Sequence, residues 1–266
     1  MRLDYATENA NPAAAPAARF GVLLLQTDEI VETEFPRLLG QSFGPTDQGP
    51  ANLGSGGIRV HYSRVPSGRE VTTESLTAMA AALPVAVDLL PPAVRFDVIA
   101  YACTSGATII GEAQVAAAVR SVRPGVVVSN PLTAAKAALR ALGARRIGFL
   151  TPYVADVSSA MRDNLTASGC DIVSFGSFEV ADDGIVATMT PESILKAAVE
   201  VGSGDCDAVF IACTNLRAAG IIERAEALLG KPVISSNQAL AWHMLRLAGL
   251  DTPRPGRGRL FDCRLQ

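Results

Sequence analysis

Two cysteines close stretches of sequence that nearly copy each other. The first stretch is Asp97-Val98-Ile99-Ala100-Tyr101-Ala102-Cys103-Thr104-Ser105, and the second is Asp207-Ala208-Val209-Phe210-Ile211-Ala212-Cys213-Thr214-Asn215. Aligned without gaps, they share Asp, Ala, Cys and Thr at the same places. The apolar run before each Ala-Cys-Thr reads as a strand of a parallel sheet, buried on both faces. Each thiol then falls where its strand ends, and open α/β sheets bind ligands at the carboxyl ends of their strands. A duplicated chain would place two thiols against one ligand from opposite sides.

A free thiol titrates near pH 8.5 and is a poor base at neutral pH unless its anion is stabilised. A helix start supplies that stabilisation through its unpaired N–H groups and the positive end of its dipole. Cys103 precedes Thr104-Ser105-Gly106-Ala107 and Cys213 precedes Thr214-Asn215, small polar loops expected to lead into helices. Thr104, Ser105, Thr214 and Asn215 offer hydroxyls, an amide and backbone donors to a substrate carboxylate. Two thiols flanking one carbon can invert it, one removing a proton and the other returning one to the opposite face. Alternatively, one thiolate adds to a double bond, the adduct rotates, and the thiolate leaves. Neither route uses a cofactor, and none is expected. A lone cysteine after an apolar strand is a small core residue, which is how Cys170, Cys206 and Cys263 are read.

The chain's 266 residues, 49% hydrophobic and 18% charged, suffice for one large domain or two lobes with a sizeable core. A net charge of −3 without a Lys/Arg cluster argues against a nucleic-acid partner. No apolar run reaches the roughly 18 residues of a membrane span, and the richest, 76–94, contains Pro84, Asp88, Pro91 and Pro92. Residues 1–18, rich in Ala, Pro and Asn, lack the apolar core of a signal peptide and read as a disordered tail. The expected compartment is the cytoplasm, where the five cysteines stay reduced. Without a CxxC or a Cys/His cluster, no metal site is expected.

The elements that must position the thiols alternate along the chain. Strands are expected over 19–25, 58–65, 97–102 and 125–129, then over 146–150, 172–178, 207–212 and 232–235. Helices are expected over 32–39, 72–90 with a break at Pro84, 106–121, 132–142, 154–168, 190–201, 217–229 and 238–248. The segment 40–57 reads as irregular. The run Arg-Phe-Gly-Val-Leu at 19–23 returns as Arg-Ile-Gly-Phe-Leu at 146–150, and Ser129-Asn130 returns as Ser236-Asn237. The fold class is therefore α/β: two pseudo-symmetric Rossmann-like lobes, each a mostly parallel four-stranded sheet flanked by helices, with the active site in the cleft between them. One lobe takes 19–130 plus part of 238–250, and the other takes 131–237. Thr27 and Asp28 follow the first strand; Asn130 ends the fourth and either lines the cleft or makes a turn. Arg69 and Glu70 sit in a loop flanked by Gly and Pro that reads as a solvated loop before it reads as a lid. His61 and His243 have no partners in the pattern and receive no catalytic role.

These motifs resemble the aspartate/glutamate racemase superfamily, and most closely its maleate cis-trans isomerase and arylmalonate decarboxylase branch. The resemblance covers nearly all of 19–250. It rests on Arg19-Phe20-Gly21-Val22 followed by Val31-Glu32-Thr33-Glu34-Phe35-Pro36, on Tyr101-Ala102-Cys103-Thr104-Ser105-Gly106, on Leu150-Thr151-Pro152-Tyr153, and on Ile211-Ala212-Cys213-Thr214-Asn215-Leu216. It implies that Cys103 is the nucleophile or first acid/base, that Cys213 opposes it, and that Tyr153 hydrogen-bonds a substrate carboxylate. The decarboxylases keep only one of these cysteines, so both together point to isomerisation or racemisation. The alternatives are an arylmalonate-type decarboxylase using Cys213 alone and a non-catalytic sensor of small carboxylates. The chain departs from maleate isomerases at Asp28, where they carry Asn, and near Asp182-Asp183, where a second Asn falls. An aspartate repels a carboxylate that an amide would hold; it suits an ammonium, or else it caps the helix that follows. The partner expected is thus a small carboxylic acid or an amino acid. Proteins of ectoine breakdown resemble the same branch. A homo-oligomer is expected.

Overall fold

A computed structural model describes residues 16–40 and 57–265. Most of the expected tail and nearly all of the 40–57 segment lie outside the described residues. The first strand, β1 (Ala18–Leu25), already begins at the end of the stretch read as tail.

The first half of the chain runs β1, α1 (Val31–Leu39), β2 (Ile58–Val65), α2 (Thr73–Ala78), a short 3-10 turn, α3 (Leu83–Asp88), β3 (Val98–Ala102), α4 (Thr104–Ile110), α5 (Glu112–Val122) and β4 (Val127–Ser129). Helix α6 (Pro131–Ala141) leads to the second half: β5 (Arg146–Thr151), α7 (Ala155–Ala167), β6 (Asp171–Ser177), α8 (Asp183–Thr188), α9 (Pro191–Gly202), β7 (Ala208–Ile211), α10 (Ile222–Leu229), β8 (Val233–Ser235) and α11 (Ser236–Leu247). The two sheets have the orders β2-β1-β3-β4 and β6-β5-β7-β8, and every pairing in them is parallel. Parallel neighbours need crossovers, which the helices supply, and those helices bury both faces of each sheet. Hence β3 and β7 are buried at every residue and read as unbroken apolar runs.

Four expectations need correction. The helix expected over 106–121 is broken at Gly111, whose φ of 93° suits glycine and interrupts the spiral between α4 and α5. The break expected at Pro84 comes just ahead of it, where a 3-10 turn ends and Pro84 fills the first turn of α3. The helix expected to follow Cys213 starts only with a 3-10 turn at Ala219–Ile221, so Cys213 is not at a helix start. Helix α8 was not expected at all; it is six residues long and capped by Asp182, which accepts from Gly184 and Ile185 N–H.

Two helices tie the halves together. α6, which follows the last strand of the first sheet, packs on β8 of the second; α11, which follows the last strand of the second, packs on β3 and β4 of the first. α11 is buried along nearly its whole length, Trp242 included. Among the described residues, no helix is long and apolar enough to cross a membrane.

Candidate active site

In each sheet the strand order reverses direction beside its first strand, between β1 and β3 and between β5 and β7. A crevice opens at such a reversal, outside the carboxyl ends of the two strands. The four loops there carry Thr27-Asp28 after β1, Cys103-Thr104-Ser105 after β3, Tyr153 after β5 and Cys213-Thr214-Asn215 after β7. Cys103, Cys213, Tyr153 and Asp28 are all buried, with 2–3% of their surface exposed.

The two cysteine loops are stitched to each other. The Thr104 and Ser236 hydroxyls hydrogen-bond at 2.8 Å, and the Ser236 oxygen accepts from Cys213 N–H at 3.0 Å. In the other direction the Thr214 hydroxyl donates to the Ala102 carbonyl at 3.1 Å. Asn215 adds a third tie: its amide donates to the Thr27 and Asp183 carbonyls, and its oxygen accepts from Glu29 N–H at 2.9 Å. Tyr153 is fixed by its carbonyl, which accepts from the Ser158 and Ser177 hydroxyls. Its phenol lies against the Cys213 sulfur and the Ser105 hydroxyl, and both thiols act on it. Arg69 and Glu70 are exposed, as expected of a solvated loop, but their backbone is paired. Glu70 forms an antiparallel bridge with Asp182, and Val71 N–H donates to the Ala181 carbonyl at 2.9 Å. This loop straps the first half to the second.

The sulfurs are held differently. Cys103 caps α4: its Sγ accepts from Gly106 N–H at 3.2 Å and meets the Ser105 hydroxyl at 3.5 Å. That approach requires glycine at 106, because a Cβ there would strike the Tyr101 hydroxyl and crowd the Cys103 sulfur. Cys213 Sγ accepts from Asn215 N–H at 3.3 Å within a tight turn. Cys213 has φ of 122°, a region that non-glycine residues enter only under strain. The expectation that these donors lower the thiol pKa values is overturned by burial. Loss of solvent pushes Cys103 up to about 11 against the pull of Ser105 and Gly106, and pushes Cys213 well above the usual thiol range. The Asp183 carboxylate raises both further.

Other expected contacts resolve as follows. Asn130 caps α6, the turn role of its two expected ones: its oxygen accepts from Thr133 N–H and its amide donates to the Thr133 hydroxyl. Thr27 donates to Asp183 Oδ2 at 2.6 Å. Asp28 Oδ1 accepts from Ile30 and Val31 N–H, so it does cap α1, but Oδ2 is buried with no hydrogen-bond partner. Burial lifts Asp28 to about 6, and the nearby Asp183 adds to the rise. His243 is buried against the Ser129 hydroxyl at 2.8 Å, a core contact.

Two residues escaped the reading of the sequence. Asp183 is buried and its charge acts on both thiols, and only the looser alignment near 182–183 hinted at it. Glu34, within the Val-Glu-Thr-Glu motif of α1, accepts from Ala219 N–H at 2.9 Å and from the Asn237 amide at 2.8 Å. The same amide donates to the Thr214 carbonyl at 2.8 Å, so Glu34 braces the Cys213 loop from the first half. Burial raises Glu34 to about 7.

This arrangement of two thiols between two parallel sheets suits acid/base or nucleophilic chemistry. A profile described as arylmalonate decarboxylase matches residues 111–261. The chain is 30% identical to the maleate isomerase of Nocardia farcinica over 251 residues, covering 91% of this chain and 95% of that one. It is 35% identical to the arylmalonate decarboxylase of Bordetella bronchiseptica over 144 residues, covering 52% and 59%. Its fold matches a cysteine variant of the Nocardia farcinica maleate cis-trans isomerase carrying a covalently bound succinylcysteine intermediate, with a TM-score of 0.81, 28% identity and coverage of 93% and 98%. The chain belongs to the arylmalonate decarboxylase family, in the maleate isomerase branch of the aspartate/glutamate racemase superfamily.

Two predictions test this geometry. Replacing Cys213 by Gly relieves the strained φ, whereas Ala keeps it, so Cys213→Gly should be more stable than Cys213→Ala by about 1 kcal/mol in a denaturant titration. The opposite order would remove the strain. The second concerns pH. Glu34 rises from 4.5 to about 7 on folding, so its contribution to stability is full below about pH 4.5 and is lost as pH rises through about 7. His243, lowered from 6.5 to about 4, runs the other way, so the readout is a difference between two proteins. Relative to Glu34→Gln, the wild-type chain should lose thermal stability between pH 4.5 and 7.5; a pH-independent difference would contradict the buried carboxylate.

Proposed function

We propose that the chain is an isomerase of a small carboxylic acid that works with two opposed thiols, Cys103 and Cys213, and no cofactor. The observation that carries this is the seam itself: both sulfurs are buried at strand ends from different sheets, in loops hydrogen-bonded to each other, and both act on one phenol. A substrate of a few heavy atoms enclosed there meets a sulfur from each half. Support also comes from the Nocardia farcinica structure, whose succinylcysteine is a substrate-sized acid joined to sulfur.

The surroundings of the two sulfurs favour one order. Cys103 sits at a helix start with an N–H and a hydroxyl on its sulfur, which favours its anion. Cys103 then takes a proton from, or adds to, the substrate, and Cys213 gives its proton from the opposite face. Ser105, Tyr153 and the backbone around Thr214 hold the carboxylate. The Thr104 and Thr214 hydroxyls are engaged in the stitch and act by keeping the sulfurs in place, and Asn215 and Thr27 serve the same end.

Cys103→Ala and Cys213→Ala should each lower turnover by about 10²–10⁴-fold while leaving the thermal midpoint near that of the wild type. The match to the arylmalonate decarboxylase profile keeps a one-thiol decarboxylation in view. If Cys103→Ala retains activity and releases carbon dioxide from an arylmalonate, that reading replaces the two-thiol one.

A further inference from the structure

We propose that Glu34 is the positioning residue of Cys213: through the Asn237 amide it holds the backbone that carries the second thiol, and so sets where that thiol meets the substrate. This rests on the two-thiol reading above, in which Cys213 gives a proton. Cys213 is held at φ of 122°, and such a conformation persists only where neighbouring groups fix the chain on both sides of it. Two consecutive residues of α11 do so. Ahead of the strained bond, Ser236 Oγ accepts from Cys213 N–H at 3.0 Å. Beyond it, the Asn237 amide donates to the Thr214 carbonyl at 2.8 Å. The same amide nitrogen donates to Glu34 Oε2 at 2.8 Å, and Glu34 Oε1 accepts from Ala219 N–H at 2.9 Å, further along the same loop. Glu34 therefore grips the loop twice, once directly and once through Asn237.

The orientation of the Asn237 amide shows what Glu34 contributes. The amide nitrogen lies between two oxygens, while Asn237 Oδ1 is buried with no hydrogen-bond partner among the described residues. Buried acceptors are ordinarily paired, so the two outside oxygens impose this orientation against the interest of the third. An ionised carboxylate only accepts, and it pins the amide with its nitrogen toward Thr214. A protonated Glu34 has an O–H to give. It suits an amide turned over, with Oδ1 facing Glu34, and that amide leaves the Thr214 carbonyl without its donor. The Thr214 hydroxyl keeps its bond to the Ala102 carbonyl in either case, so the loop stays in place while its backbone relaxes.

The two helices that carry the grip are locked to each other. Gln238, next on α11, donates to the Arg257 carbonyl at 2.7 Å. The Arg257 and Arg254 guanidiniums reach back to the Arg37 and Leu39 carbonyls at the end of α1, at 2.8 and 2.6 Å. The C-terminal segment thereby fixes the helix of Glu34 against the helix of Asn237. Burial raises Glu34 to about 7 against the pull of the Asn237 and Ala219 donors; Asp28 at the start of α1 adds to the rise, and Arg37 on the same helix opposes it. Glu29 and Arg217 line the cavity beside it. The grip is accordingly nearly complete at about pH 8 and mostly released at about pH 6. The form of Glu34 that holds Cys213 is thus the form that costs the fold stability.

The test follows amide hydrogen exchange of the full chain by mass spectrometry in the wild type, Glu34→Gln, Asn237→Ala and the double variant. Gln keeps the shape of Glu34 but accepts from only one of the two donors. At about pH 8 each single variant should speed exchange over residues 213–219 by about tenfold, with residues 98–107 unchanged, and the double variant should be no faster than the single ones. At about pH 6, where Glu34 is mostly neutral, Glu34→Gln and the wild type should exchange alike. Iodoacetamide at about pH 8 should label Cys213, and not Cys103, about tenfold faster in Glu34→Gln than in the wild type. Equal exchange or equal Cys213 labelling at about pH 8 overturns the positioning role, as does a difference that persists at about pH 6 or additive effects of the two substitutions. Faster exchange across the whole chain overturns it too, because it marks a general loss of stability. Neither measurement uses a substrate, so turnover of the cysteine variants judges the two-thiol reading separately.

Discussion

A short chain of hydrogen bonds, Thr104 to Ser236 to Cys213 N–H, returned by Thr214 to the Ala102 carbonyl, holds this molecule's chemistry in register. Each bond contributes only about 1 kcal/mol net, but leaving any of these buried groups unpaired costs about 1–3 kcal/mol. The loops therefore have strong reason to stay together. Everything else in the architecture serves that seam: helices α6 and α11 cross between the sheets, Glu34 reaches from α1 to the far side of the Cys213 loop, and the 69–71 strap pairs with 181–182.

The seam is also where the structure carries its least favourable terms. Two thiols and two aspartates are taken out of water, and a cysteine is held in a glycine-like conformation that costs about 1–3 kcal/mol. Burial raises both Asp28 and Asp183 above the ordinary carboxylate range, so both lean toward holding a proton. Burial wins over the helix start for the thiols for the same reason. A local donor can tune an anion's energy but cannot replace a lost solvent shell.

What the sequence made legible was whatever is local or repeated. The strands appeared as apolar runs because both faces of a parallel sheet are buried. The thiols appeared because duplication printed Ala-Cys-Thr twice at strand ends, and Tyr153 appeared through its motif. What stayed hidden depends on contacts between distant segments. Gly111 breaks a helix that reads as continuous by periodicity. Helix α8 is too short to show a period. Asp183 matters only because the second half folds it against Thr27, where its charge acts on the sulfurs of both halves. The φ of Cys213 follows from the hold of Ser236 on its backbone, which no residue pattern announces.

Duplication suggests equal partners, yet the two copies have diverged in how each holds its sulfur. The first copy continues at once into α4, so Gly106 N–H and Ser105 point at the sulfur. The second copy exits through a turn, and its helix begins six residues later with a 3-10 turn at Ala219. A helix start stabilises a nearby anion, and the effect fades beyond the first turn. The sequence difference behind this is small: Ser105-Gly106 in one copy stands against Asn215-Leu216 in the other. Leucine at the Gly106 position would bar the close approach that lets the N–H reach the sulfur, while Asn215 turns its side chain outward to Thr27 and Asp183. One copy thereby holds its sulfur at a helix start, and the other binds the halves together around its own.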